Sequence, residues 1–275
     1  MDEKITIRAS SLTNWLDCPR RAALAIFEKE LKSAGFNQRP LLTNIGAAIG
    51  TATHAAAQYA MERKIEHGTI PTLSECADKA SESLDQTKRE GISFDFQTQS
   101  MGVAHLQTKR CVESFLTHVA PTITPVAIEQ RLDGVINDNF LLSGKCDALE
   151  ATEKSNGVRD YKTGTSIRYH AAQLGGYSLL ARANGTPIDK MTVDFMQRVP
   201  LNKTQPRAVK IEYDVGQSES LALATMKNIS TSFDEFAKGG DINAFLPNPS
   251  SMLCNEKFCP AWGTKTCTHH TKEIK

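Results

Sequence analysis

This chain has no apolar run long enough to span a membrane, which excludes an integral helical membrane protein. It also lacks an excess of either charge: 32 basic and 31 acidic side chains leave a net +1. That balance excludes a protein that coats nucleic acid by bulk charge, so any recognition of a polyanion has to be local. No P-loop or other nucleotide-binding glycine loop occurs, and any motor driven by nucleotide hydrolysis would therefore be a partner. Internal repeats and low-complexity tracts are missing as well. The seven cysteines are odd in number and follow no signal peptide, in a chain large enough to build its own core. These features exclude a disulfide scaffold and point to a reducing compartment.

What is present fits one large domain, since 275 residues with 40% hydrophobic content suffice for a sizeable core. Periodicity predicts helix from Ser10 to Lys32, with Ser10 or Ser11 as N-cap and an interruption at Pro19. Further helical spacing follows over 45–67, 72–90 and 101–119, divided by Gly68, Pro71 and Gly91. Strands are predicted over 125–132, 139–149 and 157–162, then a helix near 168–184, strands over 190–199 and 207–214, and a helix near 217–238. The expected class is α/β with a helical insertion over 33–120. Phe195 and Met196 read as core residues of an ordinary strand.

The chemistry concentrates between Gly144 and Tyr177. Asp147 lies near the end of one predicted strand, and Asp160 with Lys162 lies on the next. Antiparallel neighbours would bring the two carboxylates together, and alternation puts Asp160 and Lys162 on one face. Two carboxylates can hold a divalent cation, and a lysine beside them can orient water or offset charge on a phosphate, an arrangement suited to phosphodiester hydrolysis. Gln173 and Tyr177, four apart on the following helix, share one side of it. Glu129, on the strand before, is either a further acid at the site or a solvated edge residue.

These residues in this order resemble the PD-(D/E)XK nuclease superfamily, and within it the RecB-like and Cas4-like exonucleases. Gly144, Asp147, Asp160, Lys162, Gln173 and Tyr177 fall in the places that family uses, although the proline before the first acid is missing. The resemblance implies a restriction-endonuclease-like core, a mixed central sheet flanked by helices, with an N-terminal helical region and a C-terminal cysteine loop. The catalytic set it implies is Asp147, Asp160, Lys162, Gln173 and Tyr177. The phrase Gly50-Thr51-Ala52-Thr53-His54 fits the upstream motif and implies that His54 joins Asp147 and Asp160 as a metal ligand. Imidazole in that set would favour Mn2+ alongside Mg2+.

Four of the cysteines divide unusually: Cys18 comes early, while Cys254, Cys259 and Cys267 come late. Cas4-like and AddB-like nucleases have a similar split, which implies a [4Fe-4S] cluster clasping the two chain ends, although the late spacing here is wider than the usual pattern. Structural Zn2+ is the rival, held by four cysteines or by three with His269 or His270. Cys76, Cys111 and Cys146 read as buried apolar groups.

The resemblance implies an exonuclease acting on DNA ends, single-stranded by expectation, in the cytoplasm of a prokaryote or an infected host. Partners would be recombination, helicase or CRISPR-adaptation proteins. The alternatives are a DNA-end-binding subunit with little or no catalysis and a zinc-containing adaptor. Candidate phosphate contacts are Arg20, Arg21, Arg159, Arg168, Arg182, Arg198, Lys203 and Arg207.

Overall fold

A computed structural model describes residues 4–135 and 140–268; His269 and His270 lie outside the described residues. In chain order the elements are β1 (Ile5–Arg8), α1 (Ala9–Asp17), α2 (Pro19–Ile26), α3 (Glu28–Ser33), β2 (Thr43–Asn44), α4 (Ile45–His67), α5 (Leu73–Glu90), β3 (Ile92–Ser93) and α6 (Met101–His118). The second half holds β4 (Pro125–Val135), β5 (Phe140–Thr152), β6 (Ser155–Gly164), α7 (Ala171–Ala183), β7 (Lys190–Gln197), β8 (Val209–Tyr213) and α8 (Val215–Gly239).

Local chemistry sets most of these boundaries. Asn44 caps α4 by accepting from the Gly46 N–H, and Gly68, at φ 71°, ends it by donating to the Lys64 carbonyl. Thr72 and Glu75 form a reciprocal capping box at the start of α5. Ser100 caps α6 and Asp214 caps α8. Neither Ser10 nor Ser11 caps α1, because β1 runs straight into the helix and leaves Arg8 at the cap position without a side-chain hydrogen bond.

The main sheet is mixed and six-stranded, ordered β1-β5-β6-β7-β8 with β4 also on β5. β4 runs antiparallel along one edge of β5. The other edge is shared: β1 pairs parallel with residues 140–143, and β6 pairs antiparallel with residues 148–152. Between them, residues 144–147 of β5 face the point where the two neighbours part. One apolar cluster fills the side of the sheet covered by α1, α2, α7 and α8, around Trp15, Phe27, Phe140 and Phe245. A second joins α4, α5 and α6 to the other side through Ala148, Tyr161 and Met196. Phe195 and Met196 are both buried, as the sequence predicts.

Close packing of α7 depends on small residues. A Cβ on Gly175 would lie 2.0 Å from the Ser218 carbonyl oxygen, and one on Gly144 would lie 2.9 Å from two ring atoms of Tyr177. Helix α7 therefore lies tight against both α8 and β5, which brings Gln173 and Tyr177 to the parting of the strands.

Candidate active site

The site lies where β5 and β6 separate. The last paired residues before the gap are Ala148 and Arg159, so Tyr161 has no ladder partner on the β5 side. The Asp147 carboxylate takes that place, with Oδ2 accepting from Tyr161 N at 2.5 Å. Its other oxygen, Oδ1, is 3.1 Å from His54 Nδ1, which α4 presents from the opposite layer. Burial pushes the Asp147 pKa up, but the charge and hydrogen bond of His54, the charge of Lys162 and the Tyr161 N–H outweigh it and hold the group below the usual carboxylate range. His54 moves the other way: burial lowers its pKa, and Asp147 more than restores it.

Asp160 sits deeper, 1% exposed. Its Oδ2 is 2.7 Å from Lys162 Nζ, and its Oδ1 accepts from Gln173 Nε2 at 3.1 Å. Gln173 Nε2 also donates to the Tyr177 hydroxyl at 2.9 Å. The pair on α7 thus supports Asp160 and makes no hydrogen bond to Lys162 among those described. Burial, with Asp147 adding to it against the pull of Lys162, pushes Asp160 up to about 6. Lys162 is held above its ordinary pKa, since the two carboxylates outweigh the penalty of burial, and it stays charged.

Glu129 also reaches this centre. Gln130 pairs with Cys146 and Ile128 with Ala148, so Glu129 stands opposite Asp147 across the ladder. Its φ of 52° is the one non-glycine left-handed conformation among the described residues, a strained arrangement that tends to persist at functional sites. The Glu129 carboxylate is ion-paired with Lys145. Ligand atoms of His54, Glu129 and Asp147 lie within 4.8 Å of one another, the one such group of three among the described residues. One imidazole nitrogen and two carboxylates fit a divalent cation. Of the three metal ligands expected from sequence, the structure gathers His54 and Asp147 with Glu129, while Asp160 is engaged by Lys162 and Gln173.

Sequence reading missed His170. It borders the cavity next to Lys162, and burial, with Lys162 adding to it, lowers its pKa to about 4, leaving a neutral imidazole at pH 7. Its position just ahead of α7, in no motif, gave no signal.

Several expected phosphate contacts are corrected. Arg159 is 3% exposed and pairs with Asp194 and Glu150. Arg198 is buried against Asp95, and Arg20 donates to the Phe245 carbonyl. Arg21 pairs with Asp17. Arg168, Lys203 and Arg207 remain exposed, and so does Arg182 although it pairs with Glu219. Guanidinium groups that sequence cannot distinguish from phosphate binders are here consumed by internal carboxylates and carbonyls.

Away from this centre, Cys18, Cys254, Cys259 and Cys267 line one small cavity. Cys18 Sγ accepts from the Asn248 N–H at 3.4 Å. Burial, together with the other three sulfurs, raises the Cys254 pKa. No three of these sulfurs gather within 4.8 Å. Cys76, Cys111 and Cys146 are buried elsewhere, fully covered.

A family model described as the PD-(D/E)XK nuclease superfamily matches residues 6–267. No curated protein matches the chain. Among solved structures, a putative exonuclease from Eubacterium rectale is 12% identical with a TM-score of 0.47, covering 83% of this chain and 80% of that one. An alkaline exonuclease from Laribacter hongkongensis is 13% identical with a TM-score of 0.29, covering 70% of this chain and 95% of that one.

Proposed function

The chain belongs to the PD-(D/E)XK nuclease superfamily, and from that premise we propose that it is a metal-dependent exonuclease that shortens single-stranded DNA from free ends. The observation that carries the reading is the convergence of His54, Glu129 and Asp147 beside a charged Lys162 held against Asp160. His54, Glu129 and Asp147 would hold the cation, with Asp160 next to it. When bound, a divalent cation lowers the pKa of water and polarises a phosphate oxygen. Imidazole in the donor set favours Mn2+ alongside Mg2+.

The chain's own groups complete the chemistry. Lys162 places a fixed positive charge where the phosphate gains negative charge in the transition state, or orients the attacking water. Gln173, itself bonded to Tyr177, fixes the Asp160 carboxylate. The Tyr161 N–H fixes Asp147. Such anchoring keeps the donors in place before substrate arrives.

Cys18, Cys254, Cys259 and Cys267 line one cavity, and by the family resemblance they would hold a [4Fe-4S] cluster as four thiolates. Structural Zn2+ is the rival that the same four ligands admit. The clasp would tie the start of α2 to the loop after α8.

The deciding experiment uses protein purified anaerobically and offers it end-labelled linear single strands, linear duplex and circular single strands with Mn2+, Mg2+ or chelator. Cleavage of linear single strands with either metal, abolished by chelator and absent on circles, is expected. No cleavage with either metal would sink the reading.

A further inference from the structure

We infer that Phe96 is a stacking platform for an unpaired base of the DNA strand, beside the candidate active site. A cavity of about 600 Å³ opens next to Lys162 and Thr163, bounded on its far side by Met252 and Phe258 of the cysteine loop. Phe96 stands at its rim with 83% of its surface exposed, and Met252 is 77% exposed. An exposed ring contributes little to the core, yet the turn that carries it is expensively fixed. Arg198, 6% exposed, grips the Asp95 carboxylate with both terminal nitrogens. The same carboxylate accepts from the N–H groups of Gln97 and Thr98 at 3.0 and 2.9 Å. Buried Gln107 donates to the Gln97 carbonyl and accepts from the Thr98 hydroxyl. Lys257 donates to the Phe94 carbonyl at 2.5 Å, tying the turn to the cysteine loop.

Drawing the Arg198 guanidinium out of water against a partly buried Asp95 costs desolvation that the pairing has to offset. What it secures here is the position of one exposed aromatic ring beside the candidate active site. Exposed Arg168 borders the same cavity and supplies a cation for the backbone. A cationic rim, an apolar wall and an exposed aromatic ring on a braced turn together match single-stranded nucleic acid, whose unpaired bases stack on such rings without sequence preference. Interior bases of duplex DNA are stacked on both faces and offer no such surface. The assignment rests on the reading of the chain as a nuclease of single-stranded DNA and adds the residue that receives a base.

The test is a double-mutant cycle on the full chain, in which one change is in the protein and the other in the DNA. Dissociation constants are measured by anisotropy without added divalent metal, for oligonucleotides carrying a single abasic residue at successive positions. Phe96→Ala is expected to weaken binding of the intact strand roughly 5- to 100-fold, and Phe96→Trp to restore it. At one position the abasic residue should weaken binding to the wild type but not to Phe96→Ala. Unchanged affinity in Phe96→Ala, equal losses at every position, or a wild type that binds duplex only would each overturn the assignment. Cleavage by the wild type is assayed separately with metal. Absent cleavage alongside Phe96-dependent binding would count against the nuclease reading alone.

Discussion

Two carboxylates hold the Lys162 pKa above its ordinary value against the penalty of burial, so its removal takes a positive charge from directly beside Asp160. Lys162→Ala and Asp160→Asn are each expected to lower the cleavage rate by at least about 100-fold while the thermal midpoint stays within a few degrees. A folded variant of either kind cutting at the wild-type rate would remove these residues from the mechanism. Glu129→Gln separates ligation from folding. It should weaken Mn2+ binding, read by titration calorimetry, by about tenfold or more, because one anionic donor is lost. Much of this centre was legible in the sequence. Asp160-x-Lys162 needs only strand alternation to share a face, and the distance between them follows. Glu129 was ambiguous because its importance depends on a left-handed backbone that no local residue type announces. The guanidinium of Arg159 was unreadable for a different reason: its partners Asp194 and Glu150 lie on other strands, and sequence does not show where a charge is spent.

Helix α7 carries the supporting pair only because Gly175 lets it approach α8. Gly175→Ala would force a Cβ against the Ser218 carbonyl, a clash of a fixed Cβ with backbone that side-chain rotation cannot relieve. The variant is expected to lose about 1–3 kcal/mol of stability and to reduce cleavage by displacing Gln173. Gly239→Ala, with open space around it, should do neither, and urea unfolding of the two variants makes the comparison. At this scale the long helices were the most readable elements. The predicted span of α4 coincides with Ile45–His67, since Asn44 and Gly68 mark its ends chemically. Strand β1 went unseen because four residues give too short a pattern, and its parallel partner in β5 lies far away in sequence. Two-residue strands β2 and β3 escaped for the same reason.

Across the whole molecule, Cys18 meets Cys254, Cys259 and Cys267 around one cavity, and the proposed cluster makes that meeting testable. Cys18→Ser, Cys254→Ser, Cys259→Ser or Cys267→Ser should each abolish visible sulfur-to-iron absorption and lower the melting temperature, while Cys76→Ser leaves the colour unchanged. Colourless protein with one equivalent of zinc after anaerobic purification would refute the cluster and leave the nuclease reading intact. The meeting of distant segments has a second consequence, independent of any cofactor. Arg20 bonds the carbonyl of Phe245, 225 residues later, and Phe27 stacks on the ring of Phe245 at 5.5 Å. Trp15 donates to Asn228 in α8. During synthesis these early helices therefore leave the ribosome long before the residues that cover them exist. At about 5–20 residues per second the wait is roughly ten seconds or more. Through that interval Trp15 and Phe27 lack the cover that Asn228 and Phe245 supply. Emergence of the segment that carries Asn228 and Phe245, more than any early folding event, sets when these helices gain their native cover.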